Sequence, residues 1–158
     1  AIAHISGPAG NRDIAVEDFC TGPSRTVLKK GELLVSISMP KPADNFGAAY
    51  TRFIPRNEMD IAVAGVAVSV VLDSSGKQFE SARIALASVG PAPILASATG
   101  ASLGGKAVSE ESIASAAALA RDAATPITDM RGTIEQRKQL VEVLTSRMIN
   151  QAVERARG

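Results

Sequence analysis

With 158 residues, 16.3 kDa, 46% hydrophobic and 21% charged side chains, the chain is too apolar to be disordered and long enough to bury on the order of 70% of its unfolded surface. Aromatic residues make up only 3%, so the core must be built from Ala, Val, Ile and Leu. A formal net charge of +1 excludes a strong field for nucleic acid or anionic membranes. One cysteine, Cys20, and one histidine, His4, exclude a disulfide framework and a Cys-rich or multi-His metal centre.

The opening Ala1-Ile2-Ala3-His4, without Met or a basic-then-apolar leader, reads as the interior of a longer chain. Residues 1–6 are strand-like, Gly7, Pro8, Gly10 and Asn11 supply turn chemistry, and Ile14–Val16 returns as an apolar run, which predicts a hairpin. A loop follows over Asp18–Ser24, then a strand over Leu33–Met39 that Pro40 and Pro42 end, because proline cannot donate to a ladder. That places a boundary near residues 40–45.

Beyond it, 46–54, 61–72 and 79–88 are predicted as an antiparallel meander. The middle segment is nearly all Ala, Val and Ile, as a strand covered on both faces should be. The uncharged stretch Ile84–Gly105 contains Pro91, Pro93 and four glycines, a poor membrane span; a soluble protein without membrane insertion is expected. Ser109 followed by Glu110 and Glu111 predicts a helix start, and Thr125-Pro126 its end. Thr133-x-x-Gln136 reads as a capping box opening a last helix, with Ile134, Val141, Leu144, Met148 and Ala152 as its buried stripe. Sheet followed by helices, rather than strict alternation, predicts the α+β class: an antiparallel sheet of three or more strands covered by helices near 110–123 and 134–155.

Chemistry-bearing residues are few. His4 has no Gly-x-Ser-x-Gly or Cys-His arrangement with it, so a hydrolytic triad lacks parts. Cys20 beside Phe19 reads as a semi-buried small hydrophobe, with a thiolate near Arg25 as the other reading. Leu103-Gly104-Gly105-Lys106 lacks the spacing of a phosphate loop and reads as a turn between helices. The cluster Arg52, Arg56, Glu58 and Asp60 reads first as a solvated strand end.

A family nonetheless shows in an ordered series of phrases: Asp18-Phe19 with Gly22-Pro23, Lys30-Gly31-Glu32-Leu33-Leu34, Met39-Pro40, and Phe53-Ile54-Pro55-Arg56-Asn57-Glu58-Met59-Asp60-Ile61-Ala62. Val89-Gly90-Pro91-Ala92-Pro93, Leu103-Gly104-Gly105-Lys106, and Ile127-Thr128-Asp129-Met130-Arg131 continuing to Arg137 extend it. Together they resemble the FAD-binding (medium) subunit of molybdenum hydroxylases, the xanthine dehydrogenase and aerobic carbon monoxide dehydrogenase group.

The resemblance implies that residues 1–40 are the C-terminal end of an FAD-binding domain and 45–158 the flavoprotein's C-terminal α+β domain. It implies FAD as cofactor, and iron–sulfur and molybdenum subunits as partners, these carrying the clusters and the molybdenum cofactor. Electrons would pass from the clusters through FAD to an external acceptor, in the cytoplasm. The glycine-rich diphosphate loops of the family's N-terminal half do not occur in this sequence, so the fragment alone would be inactive. Two flavin-contacting positions carry over, Leu34 and Arg52, the latter usually Lys. A flavin ring needs an apolar contact and a nearby cation for its reduced, anionic form. Arg for Lys changes the donor geometry, and Gln136 stands where the family often has an aromatic. A plain core role for Leu34 remains open, as do a subunit-docking module and a small-molecule-binding α+β module for the whole chain.

Overall fold

Two compact units, Ala1–Pro42 and Ala43–Gly158, make up the computed structural model, which describes residues 1–56 and 59–158. In the first, β1 (Ile2–Gly7) and β2 (Gly10–Ala15) form the hairpin, joined through Pro8-Ala9. Two shorter strands pair with each other, β3 (Cys20–Gly22) within the expected Asp18–Ser24 loop and β4 (Arg25–Thr26) just beyond it. β5 (Leu33–Ser38) returns beside β1, giving an antiparallel order β2-β1-β5 with a bulge between His4 and Ile5.

Ala3 and Ile5 are the buried hydrophobics of this small sheet. Arg12, opposite Ile5, ties the 16–32 segment back to it: Nε and Nη2 donate to the two Glu32 carboxylate oxygens at 2.9 and 2.8 Å, and Nη2 also donates to Val27 O. The bidentate fork fixes the segment more firmly than single bonds would. β5 lies at the sheet's edge and keeps Leu33, Val35 and Ile37 exposed.

The second unit is the expected α+β arrangement. β6 (Phe46–Phe53), β7 (Ala64–Leu72) and β8 (Phe79–Ala87) form the antiparallel meander, and a two-residue β9 (Ile94–Leu95) extends it. β7 begins at Ala64 rather than 61. The Asp60 carboxylate accepts the backbone N–H of Ile61 and of Arg56, a local turn that competes with the ladder, and pairing starts only where Val63 N donates to Phe53 O.

Helices α1 (Ser97–Leu103), α2 (Glu110–Ala123) and α3 (Ile134–Arg157) follow. Ser109 caps α2 through a reciprocal pair with Ser112. Thr133 caps α3 in one direction, its hydroxyl accepting from Gln136 N.

Alternation turns Val66, Val68, Val70 and Leu72 of β7 toward the helices, where they form one core with Phe79, Ile84, Leu86, Ile113, Ala116, Val141, Leu144, Met148 and Ile149. Small residues set how closely the layers meet: a Cβ on Gly47 would overlap Ala152 O of α3, and one on Gly100 of α1 would overlap Ala82 O of β8.

The stripe of α3 needs one correction. Val141, Leu144, Met148 and Ala152 are buried, but Ile134 is 38% exposed at the helix's first turn, and Arg137 takes the buried position one turn before Val141.

Candidate functional site

β6 and β7 turn a second face away from the helices, carrying Ala48, Tyr50 and Arg52 on one strand and Gly65, Ala67 and Ser69 on the other. Ala85 and Ala87 of β8 continue it. It is a surface of small residues bordered by larger ones: Tyr50 is 60% exposed, and its hydroxyl lies 3.5 Å from where a Cβ on Gly65 would sit. Arg52, opposite Gly65, is exposed, with no hydrogen-bond or ion-pair partner among the described residues.

The other members of the predicted charge cluster separate. Arg56 donates to Asp60 at 3.3 Å, and that bond holds the Asp60 carboxyl below the usual range. Glu58 lies outside the described residues. Leu34 belongs to the first unit, where it pairs with Ile5 and is 39% exposed. It is exposed rather than core and presents apolar surface. Leu34 and Arg52 thus fall in different units.

Between the end of β8 and the start of α3, one guanidinium organises the loops. Arg137, 5% exposed, donates through Nη1 to Val63 O at 2.7 Å and Ser88 O at 3.0 Å, and through Nη2 to Asp129 at 2.7 Å. The Asp129 carboxyl is depressed, first by the Arg131 N–H and then by Arg137. The phrase Ile127–Arg131 is therefore a loop pinned by its own carboxylate and by α3.

The Leu103–Lys106 segment is the turn expected between two helices. Its amides are already bonded: Gly104 N to Ala101 O, Gly105 N to Phe79 O and Lys106 N to Leu103 O. A phosphate would have to displace those bonds. Cys20 is exposed at the start of β3 rather than semi-buried, because its strand pairs only with two-residue β4.

The fold completes one constellation that the sequence leaves in pieces. His4, in the middle strand of the first unit, faces Asp13 directly across β2. Its Nδ1 lies 2.8 Å from Asp13 Oδ1, and its Nε2 lies 2.9 Å from the Ser38 hydroxyl on β5. The Asp13 contact was available in principle from the hairpin, since a two-residue turn fixes the register of the whole pair. The Ser38 contact depends on the β1–β5 bulge, which no local pattern announces. Among the described residues no helix is long and apolar enough to cross a membrane, and no three His, Cys, Asp or Glu side chains gather as a metal site requires.

Residues 49–152 match the protein family described as CO dehydrogenase flavoprotein C-terminal domain. The carbon monoxide dehydrogenase medium chain of Afipia carboxidovorans is 34% identical across 100% of this chain, which covers 54% of that relative. The xanthine dehydrogenase FAD-binding subunit of Escherichia coli O157:H7 is 26% identical over 98% of this chain and 52% of its own length. Among solved structures, reconstituted CO dehydrogenase from Oligotropha carboxidovorans superposes with a TM-score of 0.91 at 32% identity, covering 98% of this chain and 53% of that one. The chain spans about half the length of the curated relatives it matches.

Proposed function

Because the chain belongs to the CO dehydrogenase flavoprotein C-terminal domain family, we propose that it is the C-terminal half of the FAD-carrying subunit of a molybdenum hydroxylase. The whole enzyme would relay electrons from iron–sulfur clusters in one partner subunit to an external acceptor, and oxidise substrate at a molybdenum subunit, in the cytoplasm. The observation that carries this reading is end-to-end similarity to one half of a medium chain, at 34% identity.

The residues suit the flavin ring better than its diphosphate. The small-residue face at Gly65, Ala67, Ala85 and Ala87 leaves room for a flat ring system, and Arg52, exposed and without a partner among the described residues, stands at its border. Leu34 offers a half-exposed apolar side chain. When bound, the flavin supplies one- and two-electron chemistry. Arg52 would hold positive charge near the ring in a site that excludes water, and Leu34 would make an apolar contact. The Gly104–Lys106 amides, already bonded, offer the diphosphate no ready cradle. The isolated chain should therefore be colourless, inactive in electron transfer, and unable to retain FAD through gel filtration.

Redox titration of Arg52→Met in a reconstituted full-length subunit tests the proposal. Loss of a cation worth about 1–3 kcal/mol should lower the flavin potential by roughly 20–60 mV. The shift should persist in high salt if the ring covers Arg52, since only an exposed charge is screened. A potential within a few millivolts of the parent, with FAD still bound, would return Arg52 to a solvated strand end.

A further inference from the structure

The Asp13–His4–Ser38 chain lies outside the flavin reading and is built from three strands. Asp13, His4 and Ser38 lie on one face of the β2-β1-β5 sheet, opposite to the face that buries Ala3 and Ile5. A carboxylate can only accept, so the proton of the imidazole sits on Nδ1, bonded to Asp13 at 2.8 Å. In the neutral imidazole this leaves the Nε2 lone pair facing the Ser38 hydroxyl at 2.9 Å, and the hydroxyl donates to it. A nucleophile within hydrogen-bond reach of a base, with the base oriented by a third group, is the arrangement that activates serine.

We propose that Ser38 is a nucleophile toward small activated acyl esters, with His4 as its general base and Asp13 as the positioning residue. Attack forms a bond from Ser38 Oγ to the acyl carbon. The bond to the leaving alkoxide or phenolate breaks with its electron pair, and the hydroxyl proton passes to His4 Nε2 and from there to the departing oxygen, which leaves Nε2 free again. Deacylation reverses the roles: water, giving its proton to Nε2, adds to the acyl carbon, and Oγ leaves and regains a proton.

The surroundings set the substrate class. Ser38 is exposed on an edge strand, beside exposed Met39 and opposite Ile2. Alternate N–H groups of an edge strand point away from its neighbour and can donate to a developing oxyanion. An exposed edge-strand site of this kind supplies little enclosure, so the substrate that suits it is a small ester whose good leaving group needs least help.

Incubating the 158-residue chain with p-nitrophenyl acetate, with release of p-nitrophenolate followed and the acetyl group located by peptide mass mapping, tests this. Acetyl should appear on Ser38. Ser38→Ala and Asp13→Asn should each slow release about tenfold or more, and Asp13→Glu should restore part of it. Far-UV circular dichroism of each variant should match the parent, and the acetyl position in the parent chain decides the question even if a variant unfolds. Acetyl confined to lysines or the Ala1 amine, or release unchanged in Ser38→Ala but lost in His4→Gln, would overturn the proposal, because the imidazole would then act alone.

Discussion

The two units are held by different physics. The larger one carries a continuous core running from β7 through Phe79 to α2 and α3, so its stability is distributed over many packed side chains. The smaller one buries Ala3 and Ile5 and leans on one guanidinium: the Arg12 fork on Glu32, with Lys29 N donating to the same carboxylate at 2.6 Å. A unit of about forty residues has too little interior to be secured by burial alone, so directional, charge-assisted bonds close its long segment. Packing tolerates loss in proportion to the volume removed, whereas a fork fails when one partner changes.

The largest expected effect breaks the packed side of this contrast. Leu144→Ala or Ile149→Ala, both buried on α3, should cost about 2–5 kcal/mol through lost transfer energy and cavity. It would be read as a lowered denaturant midpoint at constant slope. An unchanged midpoint for Leu144→Ala would show that the helix's buried face is misassigned.

Arg137→Met should cost about 2 kcal/mol, because Val63 O and Ser88 O lose a buried donor. Arg137→Lys should recover only part of it, since an ammonium cannot serve both carbonyls and Asp129 with the guanidinium's planar fork. Equal stability of the Arg and Lys forms would deny the clamp. Ser109→Ala, which removes a reciprocal cap, should cost about 1 kcal/mol, measured in the same way.

The subtlest effect sharpens the polar side. Arg12 and Lys29 N hold the Glu32 carboxyl at about 2, down from 4.5. A depressed carboxyl means that the unfolded chain takes up its proton first, so this contribution is fully present above pH 4.5 and is lost as pH falls toward 2. Protection factors of the Ala3 and Ile5 amides, taken relative to the intrinsic exchange rate at each pH, should fall over that window, and Glu32→Gln should flatten the dependence while leaving the core amides of β7 unaffected. A pH response at Ile5 identical in the two forms would assign it elsewhere.

What was legible in the sequence follows from the range of the forces involved. The valine run of β7, the Ser109 cap and the spacing of Val141, Leu144, Met148 and Ala152 are local patterns, and each shows in the fold where the pattern puts it. Arg137 was hidden because an arginine in an apolar stripe looks like a surface charge until the carbonyls of Val63 and Ser88, many residues away, are seen to surround it. Ile61 looked like strand because apolar composition cannot reveal that Asp60 captures its N–H. The His4 constellation was legible by half: the hairpin register implies Asp13, while Ser38 arrives across a bulge.

The closeness of α3 to β6, with Ala152 O against Gly47 and Arg155 Nη1 donating to Ala48 O, has a consequence in time. Translation proceeds from the strands toward the helix that covers them, so Val66, Val68 and Val70 emerge long before Val141, Ile149 and Val153 exist. The roughly 80 residues between Leu72 and Val153 take about 4–16 s to make at ordinary synthesis rates. Throughout that interval the nascent sheet lacks most of its cover, and closure must join segments separated by most of the domain's length, a slow step on topological grounds. Each new copy therefore passes through seconds in which a valine-lined face is open to whatever else the cell presents to it.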